Sequence, residues 1–198
     1  MLEREALEPA AHAASWLRQT EQVGSWRDDF DEWMRYTEAH RIEAVGFGLI
    51  TMRKRDGGRS WFRAEAVAQD VVMPCGDHLG AVFELADFLD GLDDDRLLAT
   101  SFSVAPDVVL DERSARAEDG WQVVERRLRQ TAGLCHAGDV DPGVAAIVIG
   151  CDGSLPLGEV LAGVAAEAEV GIAEIRTAAL PIIRRLVEQA FLLPAAVG

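Results

Sequence analysis

The segment that decides the fold reads Ile42-Glu-Ala-Val-Gly-Phe-Gly-Leu-Ile-Thr-Met-Arg-Lys-Arg-Asp-Gly-Gly-Arg-Ser-Trp-Phe-Arg-Ala-Glu-Ala66. Two runs rich in β-branched, aromatic and apolar residues flank Asp56-Gly57-Gly58, whose glycines can adopt the positive φ of a tight turn. The pattern predicts a long antiparallel β-hairpin. Because the run from Val45 to Met52 is apolar on both faces, we expect a strand that is covered on both sides.

Helical and strand patterns surround this hairpin. Apolar residues at helical spacing predict helices, and alternating segments with no helical period predict strands. The predicted helices cover 7–22, 25–40 and 77–91, and the predicted strands cover Ser101 to Asp111, Gly120 to Arg129 and 133–139. We expect a charged, solvated turn between the first two of these strands.

From Asp141-Pro142 onwards the pattern is helical. Three helices are predicted, over 142–150, over a stripe from Leu157 to Val164 and over a stripe from Ile172 to Ala190. Pro181 lies inside the last pattern and predicts a kink or a break. The predicted class is α+β, with an antiparallel hairpin or sheet and flanking helices over 1–139 and a winged-helix-like helical domain over 140–198.

Several short strings resemble a known family. The string EAVGFGLITMRKR at 43–55 and RAE at 63–65, after the amphipathic WMRYTEAH at 33–40, look like the sixth and seventh strands of bacterial class I S-adenosylmethionine-dependent methyltransferases, in particular HemK-like enzymes. The strings at 150–161 and 182–194 are similar to the winged-helix end of the same enzymes. The resemblance implies that the hairpin closes a sheet whose earlier strands hold the cofactor.

Two motifs of that family have no counterpart in this sequence. They are the cofactor-binding glycine loop after the first strand and the Asn-Pro-Pro-Tyr motif after the fourth. Gly46-x-Gly48 does not replace the loop, because it lies inside a predicted strand and no helix N-terminus follows it. The resemblance therefore implies methyltransferase ancestry without methyl transfer by this chain alone, and we expect no cofactor.

Composition excludes several classes of function. The formal net charge of −15 repels phosphate backbones, and the basic residues are dispersed, so we expect no nucleic-acid partner. The sequence has neither a signal peptide nor an apolar run of about 20 residues, which predicts a cytoplasmic protein without a membrane span. Cys75, Cys135 and Cys151 cannot all pair within one chain, and we expect no structural disulfide.

A candidate acid–base site follows from four polar residues. Arg63 and Glu65 have the same parity on the second predicted strand, His78 begins the next helix, and Glu84 lies about two turns further along it. If that helix folds back over the strand, His78, Glu84 and Glu65 could serve as acid and base while Arg63 binds a substrate carboxylate. The alternative is an exposed ion pair and a histidine at a helix start.

Aromatic residues near this site suggest a substrate wall. Trp61 shares the parity of Arg63, and with Trp33 it could contact a flat aromatic or amine substrate. Packing in the core is the alternative for both tryptophans.

The sequence predicts no metal site. Cys75-x-x-His78 with Cys135-His136 could bind zinc, but it lacks paired Cys-x-x-Cys spacing and a defined fourth ligand. The Asp93-Asp94-Asp95 run lacks the alternating oxygen ligands of a calcium loop, and a solvated turn is expected there.

Two function hypotheses differ in class. In the first, the chain is a complete product, as its Met1 suggests, and a homodimer formed through the exposed sheet edge or the winged helix performs cofactor-independent acid–base chemistry such as a Pictet–Spengler condensation. In the second, it is a non-catalytic substrate-recognition or accessory region beside a methyltransferase core. A DNA-binding winged-helix regulator is a third, less favoured by the charge.

Overall fold

The computed structural model describes residues 2–19, 25–54, 57, 60–66 and 71–195. It divides the chain into two compact units, Met1–Asp70 and Val71–Gly198. Small, largely antiparallel sheets with flanking helices make up the chain, which confirms the predicted α+β class.

The first unit combines two helices with a three-stranded sheet. Its elements are β1 (Leu2–Leu7), α1 (Pro9–Gln19), α2 (Trp26–Ala39), β2 (Val45–Leu49) and β3 (Glu65–Ala66). The strand order is β2-β1-β3, with β1 antiparallel to β2 and parallel to β3. Helices α1 and α2 pack on each other, and the side chains of Ala13 and Leu17, one turn apart on α1, are buried.

The hairpin predicted over Ile42 to Ala66 is wrong. Strand β2 ends at Leu49, β3 is two residues long, and both pair with β1 instead of with each other. The physical reason is that β1 offers one hydrogen-bonding edge to each of them, so that neither takes the other as its partner. Of the predicted turn, Asp56 and Gly58 lie outside the described residues.

The second unit contains most of the regular structure. Its elements are α3 (Gly76–Leu89), α4 (Asp94–Ala99), β4 (Ser101–Val104), β5 (Val108–Ala117), β6 (Gly120–Gln130), β7 (Ala137–Asp139), α5 (Pro142–Gly150), β8 (Asp152–Pro156), α6 (Leu157–Glu167), α7 (Ile172–Glu188) and β9 (Leu192–Pro194). The helix predicted over 77–91 and the three predicted after position 141 are confirmed. The predicted strand from Ser101 to Asp111 divides into β4 and the start of β5.

Two three-stranded antiparallel sheets lie in this unit. In one, β4 is central and pairs with β8 on one side and with β9 on the other; in the other, the order is β5-β6-β7. Because β4 precedes position 140 while β8 and β9 follow it, the two sides of that position share a sheet. The two compact units of the structure meet between Asp70 and Val71; the predicted domains 1–139 and 140–198 stay a prediction. The winged-helix character of 140–198 stays a prediction.

One apolar core holds the second unit together. Its most deeply buried side chains come from α4, β4, α6, α7 and β9, and each is at most 1% exposed: Leu97, Phe102, Leu157, Leu161, Ile183, Val187 and Leu192. Burying such a side chain contributes about 1.5–3 kcal/mol. Helix α5 joins this core with Pro142 in its first turn and Asp141 as its cap, since the Asp141 carboxylate accepts a hydrogen bond of 2.8 Å from the backbone N–H of Val144.

Two local predictions differ from the structure. Helix α7 continues through Pro181 to Glu188 instead of breaking, because buried Ala179 and Ile183 anchor it to the core on both sides of the proline. The run at Asp93 is not merely a solvated turn: Asp93 caps α4 by accepting a 2.8 Å hydrogen bond from the N–H of Arg96.

Among the described residues, no helix has both the length and the apolar character needed to cross a membrane.

Candidate functional site

Arg63 and Glu65 are brought together, as their shared parity predicted. The Nη2 atom of Arg63 lies 2.8 Å from Oε1 and 2.9 Å from Oε2 of Glu65, and the two side chains are 21% and 14% exposed. The guanidinium therefore contacts a carboxylate of its own chain. A substrate carboxylate would have to compete with Glu65 for Arg63, which favours the ion-pair alternative for these two residues.

The predicted aromatic residues of the first unit have different environments. Trp33 of α2 is partly buried and meets the ring of His12 edge-on, with ring centroids 5.6 Å apart. His12 also lies 6.4 Å from the ring of Trp16, so Trp33 belongs to the aromatic packing between α1 and α2. Trp61 is 37% exposed. The role of Trp61 in substrate binding stays a prediction.

The first unit exposes large apolar side chains around its predicted strand segments. Met52 is 90% exposed, Phe62 81%, Ile50 68% and Leu49 40%. We call these four residues, with Trp61, the apolar surface of the first unit. The sequence predicted a strand covered on both faces here, and the described residues do not provide that cover. The sequence indicated this surface through its continuous apolar run, because such a run needs another layer of protein to cover it.

His78 lies in the first turn of α3, in the second unit. Its ring lies against the backbone of Gly133, where an added Cβ would be 2.5 Å from Cγ and 2.6 Å from Nδ1 of the histidine. The ring of His136 has its centroid 6.3 Å away. The N–H of Val72, just ahead of α3, donates a 2.9 Å hydrogen bond to the carbonyl of Gly133 and fixes this approach.

The electrostatics of His78 suit a neutral imidazole. Its Nε2 atom is buried and has no hydrogen-bond partner among the described residues. Burial lowers the pKa of His78 from its ordinary value, and the negative charge of Asp107 opposes this by raising it. A neutral imidazole can accept a proton, so His78 has the chemistry of a general base.

Glu84 does not join His78. It is exposed on α3, and a spacing of six residues places two side chains about 120° apart around a helix. The six predicted site residues thus comprise the Arg63–Glu65 pair, Trp33 and Trp61 in the first unit, and His78 and Glu84 on different faces of α3 in the second.

The described residues contain no group of three or more His, Cys, Asp or Glu side chains that could hold a metal ion. Cys75 and Cys135 are buried free thiols, and the sulfur of Cys135 lies 3.7 Å from the carbonyl oxygen of Gly133.

The second unit carries a surface that the sequence patterns did not identify. The outer half of the β5–β6 hairpin, from Asp111 to Glu125, contains no buried residue in the described range 71–195. Trp121, next to its turn, is 73% exposed. The sequence feature that could have indicated this surface is Trp121, two residues after the acidic turn Glu118-Asp119. It lies in a strand pattern that has no facing run of apolar residues.

One protein family matches residues 80–194, more than half of the chain, and its description reads Domain of unknown function (DUF7782). The chain belongs to this family. The matched range begins inside α3 and ends with β9, so it covers most of the second unit and leaves the first unit outside. No curated protein shows significant similarity to the chain.

Proposed function

We propose that this chain is a non-catalytic substrate-recognition or accessory region that works in the cytoplasm beside a class I S-adenosylmethionine-dependent methyltransferase core. The observation that carries the proposal is the apolar surface of the first unit, where Ile50, Met52 and Phe62 are each more than two-thirds exposed. Exposed apolar side chains of this size are candidates for a protein-binding surface.

The position of these residues in the sequence supports the choice of partner. Ile50 and Met52 belong to the string that resembles the sixth strand of the methyltransferases, where the resemblance implies cover by the rest of a larger sheet. In the described part of the chain, β2 and β3 are the outer strands of their sheet, and an outer strand can accept a further strand from a partner. Burial of Met52 and Phe62 against a core would contribute about 1.5–3 kcal/mol each.

The cytoplasmic assignment is supported by the cysteines. Cys75, Cys135 and Cys151 are all buried as free thiols, as expected of a protein kept in a reducing compartment. Burial, with the nearby charge of Asp152, raises the pKa of Cys151 to about 11, so this thiol stays protonated and unreactive.

The test measures binding of the purified chain to a separately produced HemK-like methyltransferase core that ends before its sixth strand. We expect a one-to-one complex, and we expect the double variant Met52→Lys/Phe62→Lys to bind at least about tenfold more weakly, since two charges replace buried apolar contacts. The matched control is Ile149→Lys/Leu155→Lys, which places two lysines at exposed apolar positions of the second unit. Equal weakening by both double variants, or no complex with the wild-type chain, would overturn the proposal.

A second candidate is a cofactor-independent acid–base enzyme, acting as a homodimer on a small aromatic or amine substrate. The buried, unpartnered Nε2 of His78, whose pKa is lowered by burial, favours it. In a Pictet–Spengler reaction the amine and the carbonyl compound lose water to form an iminium ion, the aromatic ring attacks that ion, and a base then removes the ring proton. His78 is suited to the last step.

This candidate is tested with an arylethylamine and an aldehyde as substrates. Turnover by the wild-type chain, its loss in His78→Gln and its retention in His40→Gln, which changes an exposed histidine, are all required. Light scattering separates the two candidates independently of activity, because a stable homodimer favours the enzyme and a monomer that binds a methyltransferase core favours the accessory region.

A further inference from the structure

The β5–β6 hairpin extends beyond the core of the second unit as a two-stranded arm. We define the arm as residues Asp111 to Glu125; within the described range 71–195, all of them are exposed or partly exposed. Ala117 pairs with Gly120 across the turn Glu118-Asp119, and the φ of +124° at Gly120 is one that glycine adopts readily. At about 3.4 Å per residue, the strands beyond Arg113 carry the turn roughly 14 Å outward.

Cross-strand ion pairs satisfy the arginines at the base of the arm. Arg113 pairs with Glu125 at 2.5 Å, Arg126 with Glu112 at 2.7 Å and Arg129 with Asp111 at 2.5 Å. Arg127 pairs in the same way with Asp139 of β7, at 3.0 Å. These pairs fix the strand register and leave the base of the arm electrically balanced. The base therefore has little charge to offer a partner.

The tip of the arm is different, because it exposes Trp121 beside charged side chains that form no ion pair. Trp121 is 73% exposed, and Val124, near the base of the arm, is 53% exposed. Val124 is the extra residue of a β-bulge, since Arg113 pairs with Glu125 while Ser114 already pairs with Val123. Glu118 and Asp119 form no ion pair with any described residue, and neither does the exposed Arg116, which lies opposite Trp121 on β5, so these three groups together carry a net charge of −1.

We propose that this tip binds a basic protein, with Trp121 stacked on a lysine or arginine side chain of the partner. Tryptophan has the strongest attraction for a cation over its ring, and it is enriched at the energetic centres of protein interfaces. The carboxylates of Glu118 and Asp119 complement the same positive charge. The net charge of −15 steers a basic partner toward the chain over longer distances.

Charge also decides against the other occupants of such a tip. A second copy of the chain carries the same net charge of −15, so two copies repel each other at long range. Nucleic acid and anionic lipid are repelled for the same reason. The surface is separate from the apolar surface of the first unit, and this inference holds whether or not a methyltransferase core binds there.

The test uses fluorescein-labelled peptides of alternating lysine and alanine, or arginine and alanine, titrated with the whole chain at physiological salt and followed by fluorescence anisotropy. We expect Trp121→Ala to raise Kd about tenfold or more, and Trp121→Phe to raise it less, because an aromatic face remains. Glu118→Gln/Asp119→Asn is expected to raise Kd and to reduce its dependence on salt. The control Glu159→Gln/Glu167→Gln makes the same change in net charge at two exposed positions of the second unit.

Three results would overturn the inference. One is equal Kd values for wild type and Trp121→Ala, and another is equal weakening by the control and tip double variants, which would mean attraction to net charge alone. The third is a wild-type dimer that Trp121→Ala dissociates, which would assign the tip to self-association. Unchanged circular dichroism and thermal unfolding show that each variant is folded, as expected for exposed positions.

Discussion

Gly133 has no side chain, and this allows the ring of His78 to lie against its backbone. Its φ of +66° is strained for other residues, and an added Cβ would lie 2.5 Å from Cγ of His78. We predict that Gly133→Ala lowers the free energy of unfolding by about 2–3 kcal/mol, from the strain and the overlap together. Urea denaturation measures the change. Gly138→Ala is the control, because no atom lies within 4 Å of a Cβ there, and it should change stability little.

His78 makes stability depend on pH with a definite sign. Burial lowers its pKa in the folded state below the ordinary value of 6.5, while Asp107 opposes the shift. Between these two pKa values the unfolded chain binds more protons than the folded chain. The contribution of His78 to stability is therefore present above about pH 6.5 and is lost as the pH falls through 6.5 toward the lower, folded-state value.

We predict that His78→Gln reduces the loss of stability between pH 7 and pH 5. Urea denaturation at a series of pH values gives the free energy of unfolding, and the readout is its slope against pH. A simple loss of packing would lower this free energy without changing the slope. His40→Gln is the control, because it replaces an exposed histidine. A wild-type slope in His78→Gln would mean that other groups cause the pH dependence.

At the scale of the element, the β5–β6 hairpin has two kinds of stabilising contact of very different size. The Arg113–Glu125 pair is exposed, with side chains 68% and 40% accessible, whereas Leu128 of β6 is 2% exposed in the core. We predict that Arg113→Gln lowers the unfolding free energy by less than about 1 kcal/mol and Leu128→Ala by about 2–5 kcal/mol. Thermal or urea unfolding of the two variants tests this ratio, and an arginine effect as large as that of Leu128 would contradict it.

Helices were predictable from the sequence because their signals are local. Asp141-Pro142 marks the start of α5 by a cap and a preorganised φ, and the apolar stripe to Ala190 marks α7. Pro181 predicted a kink or a break, but α7 does not break there. A proline inside a helix costs about 3 kcal/mol, and the burial of Ala179 and Ile183, which the local sequence does not show, offsets this cost.

Strand partners were not predictable, because pairing is a long-range choice. The runs on either side of Asp56 suggested one hairpin, yet both β2 and β3 pair with β1. The segment Leu2–Leu7 contains no β-branched or aromatic residue, so its composition did not indicate a central strand. For β5 and β6, the sequence predicted strands over Ser101 to Asp111 and Gly120 to Arg129 with a charged turn between them, and the two strands pair across the turn Glu118-Asp119.

The candidate site was predictable only in part, for the same reason. The parity of Arg63 and Glu65 predicted their contact, which depends on neighbours along one segment. The packing of His78 on Gly133 joins residues 55 positions apart, and neither spacing nor composition indicates it. The exposure of Met52 and Trp121 depends on where distant parts of the chain pack. A local sequence pattern does not contain this information.

For the whole molecule, the division at Asp70 and Val71 has a direct consequence for stability. All residues of the main apolar core belong to the second unit. We predict that residues 71–198 produced alone fold and unfold cooperatively, with circular dichroism and dispersed amide resonances as the measurement. A fragment without cooperative unfolding would mean that the first unit is needed to complete this core.

The central position of β4 also imposes an order on synthesis. Its two neighbours, β8 and β9, are made roughly 50 and 90 residues later, and both must reach it before the sheet is complete. Contacts of such long sequence separation slow folding, since the intervening chain must be closed first. During translation, Phe102 and the apolar face around it therefore remain uncovered until Leu192–Pro194 emerge from the ribosome. We therefore expect the newly made chain to expose this apolar face to chaperones and proteases until β9 is added.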